Sequence, residues 1–549
     1  MPCTVDRVLP RGAAGVHEFA RRELPHAPPG AEEMQGHGTA TVAPSPRRGH
    51  DAAEIRSMCT FGRHYADLHF VRSTGRVGGW AVQDTQSFGI SDEEFATYER
   101  LVGRLCALPP ADARRRQAEE LAASFVWQGR NGRRLQLRAE RRRADSALAG
   151  ATVMGAVDRR EDAPLALPRK AGPVGEFAKP RLCYVCKEPY RQVDGFYHLL
   201  CPACAADNAA RRGLATDLRG RRALLTGGRV KIGFQLALML LRDGAELIVT
   251  SRFPHDTLRR FRATPGSDAW WDRLTVVGID LRDPRQVLGL CEELRTEGRP
   301  LDILVNNAAQ TLRRPPESYA LLAEQELAAL PRALADRLRH APGFRPMPAL
   351  SPAWPTAELE ALPQRDGLPV SRRTSPQPTD EAGLLPDLAA ENSWSVRLGA
   401  LDPAEVLETQ LVNSIAPALL CDRLLPLLLA SPHPARYVVN VTAVEGRFAV
   451  RNKTARHPHT NMAKAALNML TRTSAEELAR EGVHMCAVDT GWVTDENPAP
   501  KKAYEAARGF RTPLDIVDGA ARVYDPIVRG EAGHPVAGVF LKDYQVADW

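Results

Sequence analysis

From Leu218 onward, short apolar runs alternate with longer segments of helical period, and no other feature of the chain constrains its fold as tightly. The apolar runs are Arg222–Thr226, Glu246–Thr250, Leu274–Asp280, Leu301–Asn306, Arg436–Val441 and Val483–Asp489. Ile232–Arg242, Pro284–Thr296, Ala404–Leu429 and Asn461–Arg480 read as the helices between them. A strand apolar on both sides must be covered on both faces, and parallel strands need a crossover helix to join them. The pattern therefore predicts an α/β domain over 217–549, built on a doubly wound parallel Rossmann sheet. It is broken once, over 311–400, and 341–390 alone holds 10 prolines. Proline has no N–H for a sheet ladder and breaks a helix interior, so this stretch reads as a large Pro-rich insertion of loop and short helix. Such an insertion is either a lid over a site or a surface loop.

Upstream the signals are weaker. Residues 1–50 are rich in Pro, Gly, Ala and His without sustained period and are expected to be disordered. Residues 51–150 read as an N-terminal α+β region of unnamed role, with strands at Cys59–Val71 and Gly79–Val82 and a helix at Asp92–Leu105. Residues 151–180 return to Pro, Gly and charge and read as a linker.

The formal charge is +7, and it is unevenly placed. Residues 1–182 carry 28 Lys+Arg against 22 Asp+Glu, a net of +6, which leaves 45 against 44 for the rest. The densest patch is Arg133, Arg134, Arg138, Arg141, Arg142 and Arg143. No aromatic residues interleave with these arginines as a base-stacking platform requires, so a solvated helix face is expected rather than a nucleic-acid reader. The longest apolar runs, Leu236–Leu241 and Leu424–Ala430, fall far short of the ~18 residues of a membrane span. Residues 1–30 show no apolar core of a secretory signal, so a soluble cytoplasmic protein with no membrane partner is expected.

Cys183-x2-Cys186 is followed after fourteen residues by Cys201-x2-Cys204. Each pair turns two thiolates toward one point, and together they complete a tetrahedral zinc site with no open position. A small structural zinc module over 181–212 is therefore expected, packed by Tyr184, Tyr190, Phe196 and Tyr197. The other six cysteines are scattered singly, which suits a reducing compartment.

The first strand runs into Thr226-Gly227-Gly228-Arg229-Val230-Lys231-Ile232-Gly233, a glycine-bearing turn that opens a helix. Such a turn lets backbone approach a pyrophosphate, which then sits on the helix N-terminus. The turn resembles the TGxxxGxG element of the short-chain dehydrogenase/reductase family, and further landmarks fall in order. They are Asp280-Leu281 after the third strand, Asn306-Asn307-Ala308-Ala309 after the fourth, Asn413 on the next long helix, Val438-Val439-Asn440-Val441, Lys464-Ala465-Ala466, and Asp489-Thr490-Gly491-Trp492-Val493-Thr494. The resemblance spans about 218–549. It implies cofactor contacts from Thr226, Gly227, Gly228, Ile232, Gly233, Asp280, Leu281, Asn307, Ala308, Lys464, Thr490, Gly491, Val493 and Thr494, and catalytic roles for Asn413 and Lys464. It also implies dimers or tetramers.

Lys231 stands where the family has its middle glycine, and a cation at a helix N-terminus is repelled unless an anion is near. Lys231 and Arg229 are therefore expected to hold phosphates, and Arg252 at the tip of the second strand favours NADP over NAD. The family's catalytic tyrosine, four before the lysine, is Thr460 here, and its serine falls on Ala443. A threonine hydroxyl is too weak an acid to serve as proton donor near neutral pH. Enoyl reductases space tyrosine and lysine seven apart, and that position is His457; His457 or His459 is a candidate donor. The leading expectation is an NADP-dependent oxidoreductase of atypical short-chain type, acting on a small-molecule carbonyl, alcohol or activated alkene. The alternative is a catalytically silent relative that binds NADP(H) as sensor or scaffold and meets a protein partner through its zinc module.

Overall fold

The computed structural model describes residues 89–168, 172–346, 379–450 and 453–549. The disorder expected for 1–50 and the strands expected at 59–71 and 79–82 lie outside them.

Helix α1 (Asp92–Cys106) opens on a capping box in which Ser91 and Glu94 satisfy each other's backbone N–H groups. Helix α2 (Ala113–Gly150) carries the arginine patch, and all six of those arginines are exposed. The described part of this region holds two helices and no strand.

The stretch read as a linker is not one. Met154 is buried, and the Arg159 guanidinium donates to the carbonyls of Met154, Thr512 and Leu514 and to the Thr512 hydroxyl. Leu165 N–H donates to Asp515 Oδ2 at 2.9 Å. The charges that made this segment resemble a linker are what fasten it. Strand β1 (Pro173–Leu182) then pairs antiparallel with β2 (Pro189–Asp194), and α3 (Pro202–Arg211) follows with Cys201 as its N-cap.

The sheet domain runs β3 (Arg222–Thr226), α4 (Lys231–Arg242), β4 (Glu246–Ser251), α5 (Pro254–Arg262), β5 (Leu274–Gly278), α6 (Pro284–Glu297) and β6 (Ile303–Asn306). The insertion adds α7 (Ala320–Leu327), α8 (Arg332–Ala335) and β7 (Leu338–His340). There follow α9 (Pro403–Gln410), a π-helical turn (Leu411–Ile415), α10 (Ala416–Leu429), β8 (Arg436–Thr442), α11 (Pro458–Arg480), β9 (Val483–Asp489), α12 (Ala499–Ala507), α13 (Ile516–Glu531), β10 (Phe540–Lys542) and β11 (Gln545–Ala547).

The nine strands lie in the order β11-β10-β9-β8-β6-β3-β4-β5-β7, parallel except for β11. This is the expected doubly wound sheet, with helices on both faces. One face packs Leu236 and Leu240 of α4 and Ala520 and Tyr524 of α13. The other packs Val287 and Leu290 of α6 and Leu420 and Leu424 of α10. Strand order reverses at β3, with β4 on one side and β6 on the other, and the crevice at the carboxyl ends of these strands is the ligand position of such sheets. The insertion differs from expectation in adding a parallel edge strand, β7, to β5. The helical run 403–429 is apolar and long enough to cross a membrane, yet here it is a core helix, with Val412, Ala416, Leu420, Leu424 and Leu428 buried.

Candidate functional site

The carboxyl ends of β3 and β6 are stitched together by two residues. Thr226 Oγ1 accepts from the N–H groups of Asn307 and Ala308, both at 3.0 Å. Asn307 Nδ2 donates to the carbonyls of Thr226 at 3.1 Å and Gly227 at 2.9 Å. This close approach explains the glycines. Gly227 has φ +70, and a Cβ there would lie 2.8 Å from Ala308 Cα; a Cβ on Gly233 would lie 2.1 Å from the Gly227 carbonyl oxygen. The turn then opens α4 with Val230 as N-cap, which makes no side-chain cap bond. The first-turn N–H groups thus have no side-chain cap, the arrangement that suits an anion at a helix N-terminus.

The cations around this turn are arranged unevenly. Lys231 has φ +54, and its Nζ lies 3.0 Å from Asp162 Oδ2 and 3.7 Å from Glu496 Oε1. Burial works against this ammonium, but Glu496 and Asp162 outweigh it and raise its pKa. Arg229 is not available as expected: its guanidinium is buried against Asp256 Oδ2 at 2.7 Å and the Ala382 carbonyl at 2.8 Å. Arg252 instead lies over the rings of Phe253 and Tyr319, 5.7 and 5.5 Å from their centroids. The Asp280 carboxylate is clamped by Arg282 at 2.6 and 3.0 Å, next to the buried Leu281. On the far side of the crevice Gly491 turns with φ +77, Thr490 precedes it, Val493 is buried, and Thr494 Oγ1 donates to Asp162 Oδ1 at 2.7 Å. Gly228 lies against Val249, and Ile232 packs into the cluster that contains Val493.

Lys464, on α11, is 5% exposed, and its Nζ donates to the Val441 carbonyl at 2.8 Å. Burial lowers its pKa to about 8, against a smaller opposing pull from Glu445. Thr460, one helical turn earlier, is buried with no partner for its hydroxyl. Asn413 sits in the π-helical turn, where it accepts from Gln310 N–H at 2.7 Å and donates to the Gln310 carbonyl at 2.9 Å. Such turns recur at functional sites because they re-aim a helix side chain. His457 is bound otherwise. Its ring stacks on Trp394 at 4.1 Å, its Nδ1 meets the Trp394 carbonyl at 2.9 Å, and its backbone N–H donates to Val396. His459 is buried with neither ring nitrogen hydrogen-bonded, and its Nε2 is 3.8 Å from Glu405. Burial lowers both imidazoles.

Three site residues escaped the sequence reading. Glu445 lies on the 3-10 turn Val444–Gly446 just past β8, beside the position of the missing serine. Burial raises its carboxyl pKa, Asp489 adds to that, and Lys453 and Lys464 oppose it. Asp162 arrives from the fastened segment before β1, and Tyr184 from between the first two cysteines. Asp162 and Glu445 belong to no local motif, and Tyr184, inside the first cysteine pair, reads from sequence only as packing for the module.

The sulfurs of Cys183, Cys186, Cys201 and Cys204 all lie within 4.8 Å of one another, and those of Cys186 and Cys201 are 3.8 Å apart. A zinc with four thiolates at ~2.3 Å has sulfur–sulfur edges of about 3.8 Å, so the residues fit that ion. Cys201 N–H donates to Cys183 Sγ at 3.3 Å, as knuckle amides do toward a thiolate. The module lies mid-chain and is locked to the sheet domain by Tyr197 on Asp518 and Arg212 on Asp515 and Asp518.

Two family models match this architecture. Residues 221–328 match one described as short chain dehydrogenase, and residues 384–513 match one described as enoyl-(acyl carrier protein) reductase. They leave the middle of the insertion, 329–383, unmatched and together contain the stitched turn, Asn413 and Lys464. The chain belongs to the short-chain dehydrogenase/reductase family. Among its relatives is an uncharacterized protein, R665, of Acanthamoeba polyphaga mimivirus, 30% identical over 373 residues, covering 63% of this chain and 71% of the viral one. The peroxisomal 2,4-dienoyl-CoA reductase of Danio rerio is 33% identical over 102 residues, covering 18% of this chain and 32% of that one. Among solved structures, a short-chain dehydrogenase from Burkholderia cenocepacia in complex with NADP has 21% identity and a TM-score of 0.38, covering 59% of this chain and 97% of its own. As a short-chain dehydrogenase/reductase the chain is atypical at Lys231, Thr460 and Ala443.

Proposed function

We propose that this protein is an NADP-dependent oxidoreductase acting on a small-molecule carbonyl, alcohol or activated alkene. The observation that carries the reading is the turn stitched by Thr226 and Asn307, whose glycines and uncapped helix form an anion cradle on the same sheet edge as Lys464. When bound, NADP(H) supplies or accepts the hydride.

The protein's own residues divide the remaining work. The first turn of α4 meets the pyrophosphate, and Lys464 binds ribose hydroxyls. Strand β4 ends Val249-Thr250-Ser251 with no acidic residue to bond a ribose 2′-hydroxyl, and the Arg252 guanidinium suits a 2′-phosphate. Asn413 holds the Gln310 backbone and fixes the wall of the crevice. With no tyrosine at 460, Glu445 is the group whose carboxyl holds a proton above the usual carboxylate range beside Lys464. We assign it the proton transfer.

The test is direct. NADPH should bind at least tenfold more tightly than NADH and be oxidised with some member of a panel of carbonyls and enoyl thioesters; Lys464→Ala should abolish both. Binding without turnover on any substrate would leave the scaffold reading, for which the absent tyrosine and serine speak. No binding of either nucleotide would sink both.

A further inference from the structure

The four-cysteine module reaches the catalytic crevice through Tyr184 and through the apolar residues packed on Val493. Tyr184 projects from between Cys183 and Cys186, and its hydroxyl oxygen accepts a hydrogen bond from Trp492 N–H at 2.8 Å. The neighbouring Gly491 has φ +77, and a Cβ there would lie 2.5 Å from Leu514 Cδ1 and 3.5 Å from the Tyr184 oxygen. The backbone at 491–492 is thus clasped between the knuckle and Leu514. Val493, the next residue, is buried in the apolar cluster formed by the module's Phe196, Tyr197 and Leu200.

A second connection runs from the module's helix. Cys201 caps α3, and Asn208 of α3 accepts from Arg522 Nη2 at 2.8 Å. The same nitrogen lies 3.0 Å from Asp543, which pairs with Lys542 at 3.0 Å, and Lys542 stands 3.9 Å from Asp489. Asp489 Oδ1 in turn accepts from Gly491 N–H at 2.6 Å. Both ends of the 489–493 segment are therefore tied to the module.

We propose that metal binding by Cys183, Cys186, Cys201 and Cys204 sets the conformation of the 489–494 loop, with Tyr184 as the positioning residue, so that metal and dinucleotide bind with positive coupling. Phe196, Tyr197 and Leu200 keep an apolar cluster behind the knuckle, but four thiolates this close repel one another once the ion leaves, and such modules owe much of their folding to the metal. A relaxed knuckle withdraws the Tyr184 hydroxyl and leaves the Trp492 amide without its partner. Coupling of this kind is reciprocal, so the dinucleotide also tightens the metal. The dinucleotide half rests on the function proposed above; the loop half does not.

The decisive variant is Tyr184→Phe in the full chain loaded with zinc. It removes one hydroxyl and no ligand. Zinc content should stay at one per chain, while hydrogen exchange in peptides covering 489–494 should quicken by about tenfold and the KM for NADPH should rise about fivefold or more with kcat little changed. Zinc removal with a chelator should do the same to wild-type protein. Unchanged exchange in 489–494 on Tyr184→Phe overturns the proposal, as does a purified chain that binds no zinc. Zinc-dependent protection of 489–494 in a protein that binds no NADPH upholds the loop coupling and removes the dinucleotide reading instead.

Discussion

Asp162 and Lys231 form an ion pair of 3.0 Å across the mouth of the glycine turn, and the other oxygen of the same carboxylate takes the Thr494 hydroxyl at 2.7 Å. Lys231 and Thr494 are two of the groups that the sequence assigns to the dinucleotide. A carboxylate supplied by the chain itself therefore holds both partners that an incoming phosphate would use, and it competes with that phosphate. Asp162→Asn keeps an oxygen for Thr494 and removes the charge. It should lower the NADPH Kd by about three- to tenfold, worth about 1 kcal/mol, measured by fluorescence titration. Equal or weaker binding would show that the pair only braces the crevice.

Lys464 gives a pH signature. Burial depresses its pKa to about 8, so the ammonium needed for ribose binding is half lost near that pH. The kcat/KM for NADPH should fall on the alkaline side with an apparent pKa near 8, since that ratio reports the free enzyme. Stability should move the other way. The unfolded chain holds the lysine proton up to roughly 10.4, so between about 8 and that value it binds more protons than the native state and native stability rises with pH. Lys464→Met should flatten that rise in denaturant midpoints measured across this window; a rise that survives the substitution would assign it to another group.

His457 is predicted to be a joint. It stands at φ +40 at the start of α11, stacks on Trp394 of the insertion, and is tied to the Trp394 and Val396 carbonyls. His457→Ala loses the stack and the side-chain bond, and should cost about 1–3 kcal/mol of stability with NADPH-linked turnover retained below the lowered melting midpoint. Full stability with lost turnover would return His457 to the role of proton donor.

The parallel sheet was legible because strands buried on both faces must be continuously apolar, as Leu224, Leu225, Val438 and Val439 are. Strands β7 and β10 were not: Leu338–His340 and Phe540–Lys542 are three residues each and borrow their order from β5 and β9. The glycine turn, Asn413 and Lys464 were legible for a similar reason, since each sits in a short motif whose geometry is local. Asp162 and Thr494 are 332 residues apart in sequence. Their contact exists only because Arg159 and Leu165 fasten the preceding segment against 512–515. No periodicity encodes such a contact, and the polar residues that make it are those that read as linker. Arg229 failed for the opposite reason. Its position in the motif suited a phosphate, but Asp256 offers it a buried partner at 2.7 Å.

Glu445 should replace the missing phenol. Its turn is pressed onto α11, since a Cβ on the adjacent Gly446 would lie 2.6 Å from the Lys464 carbonyl carbon. The turn follows directly on β8 and places Glu445 two residues after Ala443, where the family has its serine. Burial and the charge of Asp489 both favour its protonated form, and Lys464 limits the rise. A carboxyl held above its ordinary range is a far stronger acid than the unpartnered Thr460 hydroxyl. Glu445→Gln preserves shape and hydrogen bonding but removes the exchangeable proton. It should lower kcat by about 10²-fold, leave the NADPH Kd within about twofold, and erase the alkaline decline in kcat that follows the carboxyl's own titration, read from pH profiles of both proteins. Unchanged kcat in Glu445→Gln would pass the proton transfer to another group, with His459 next to be replaced.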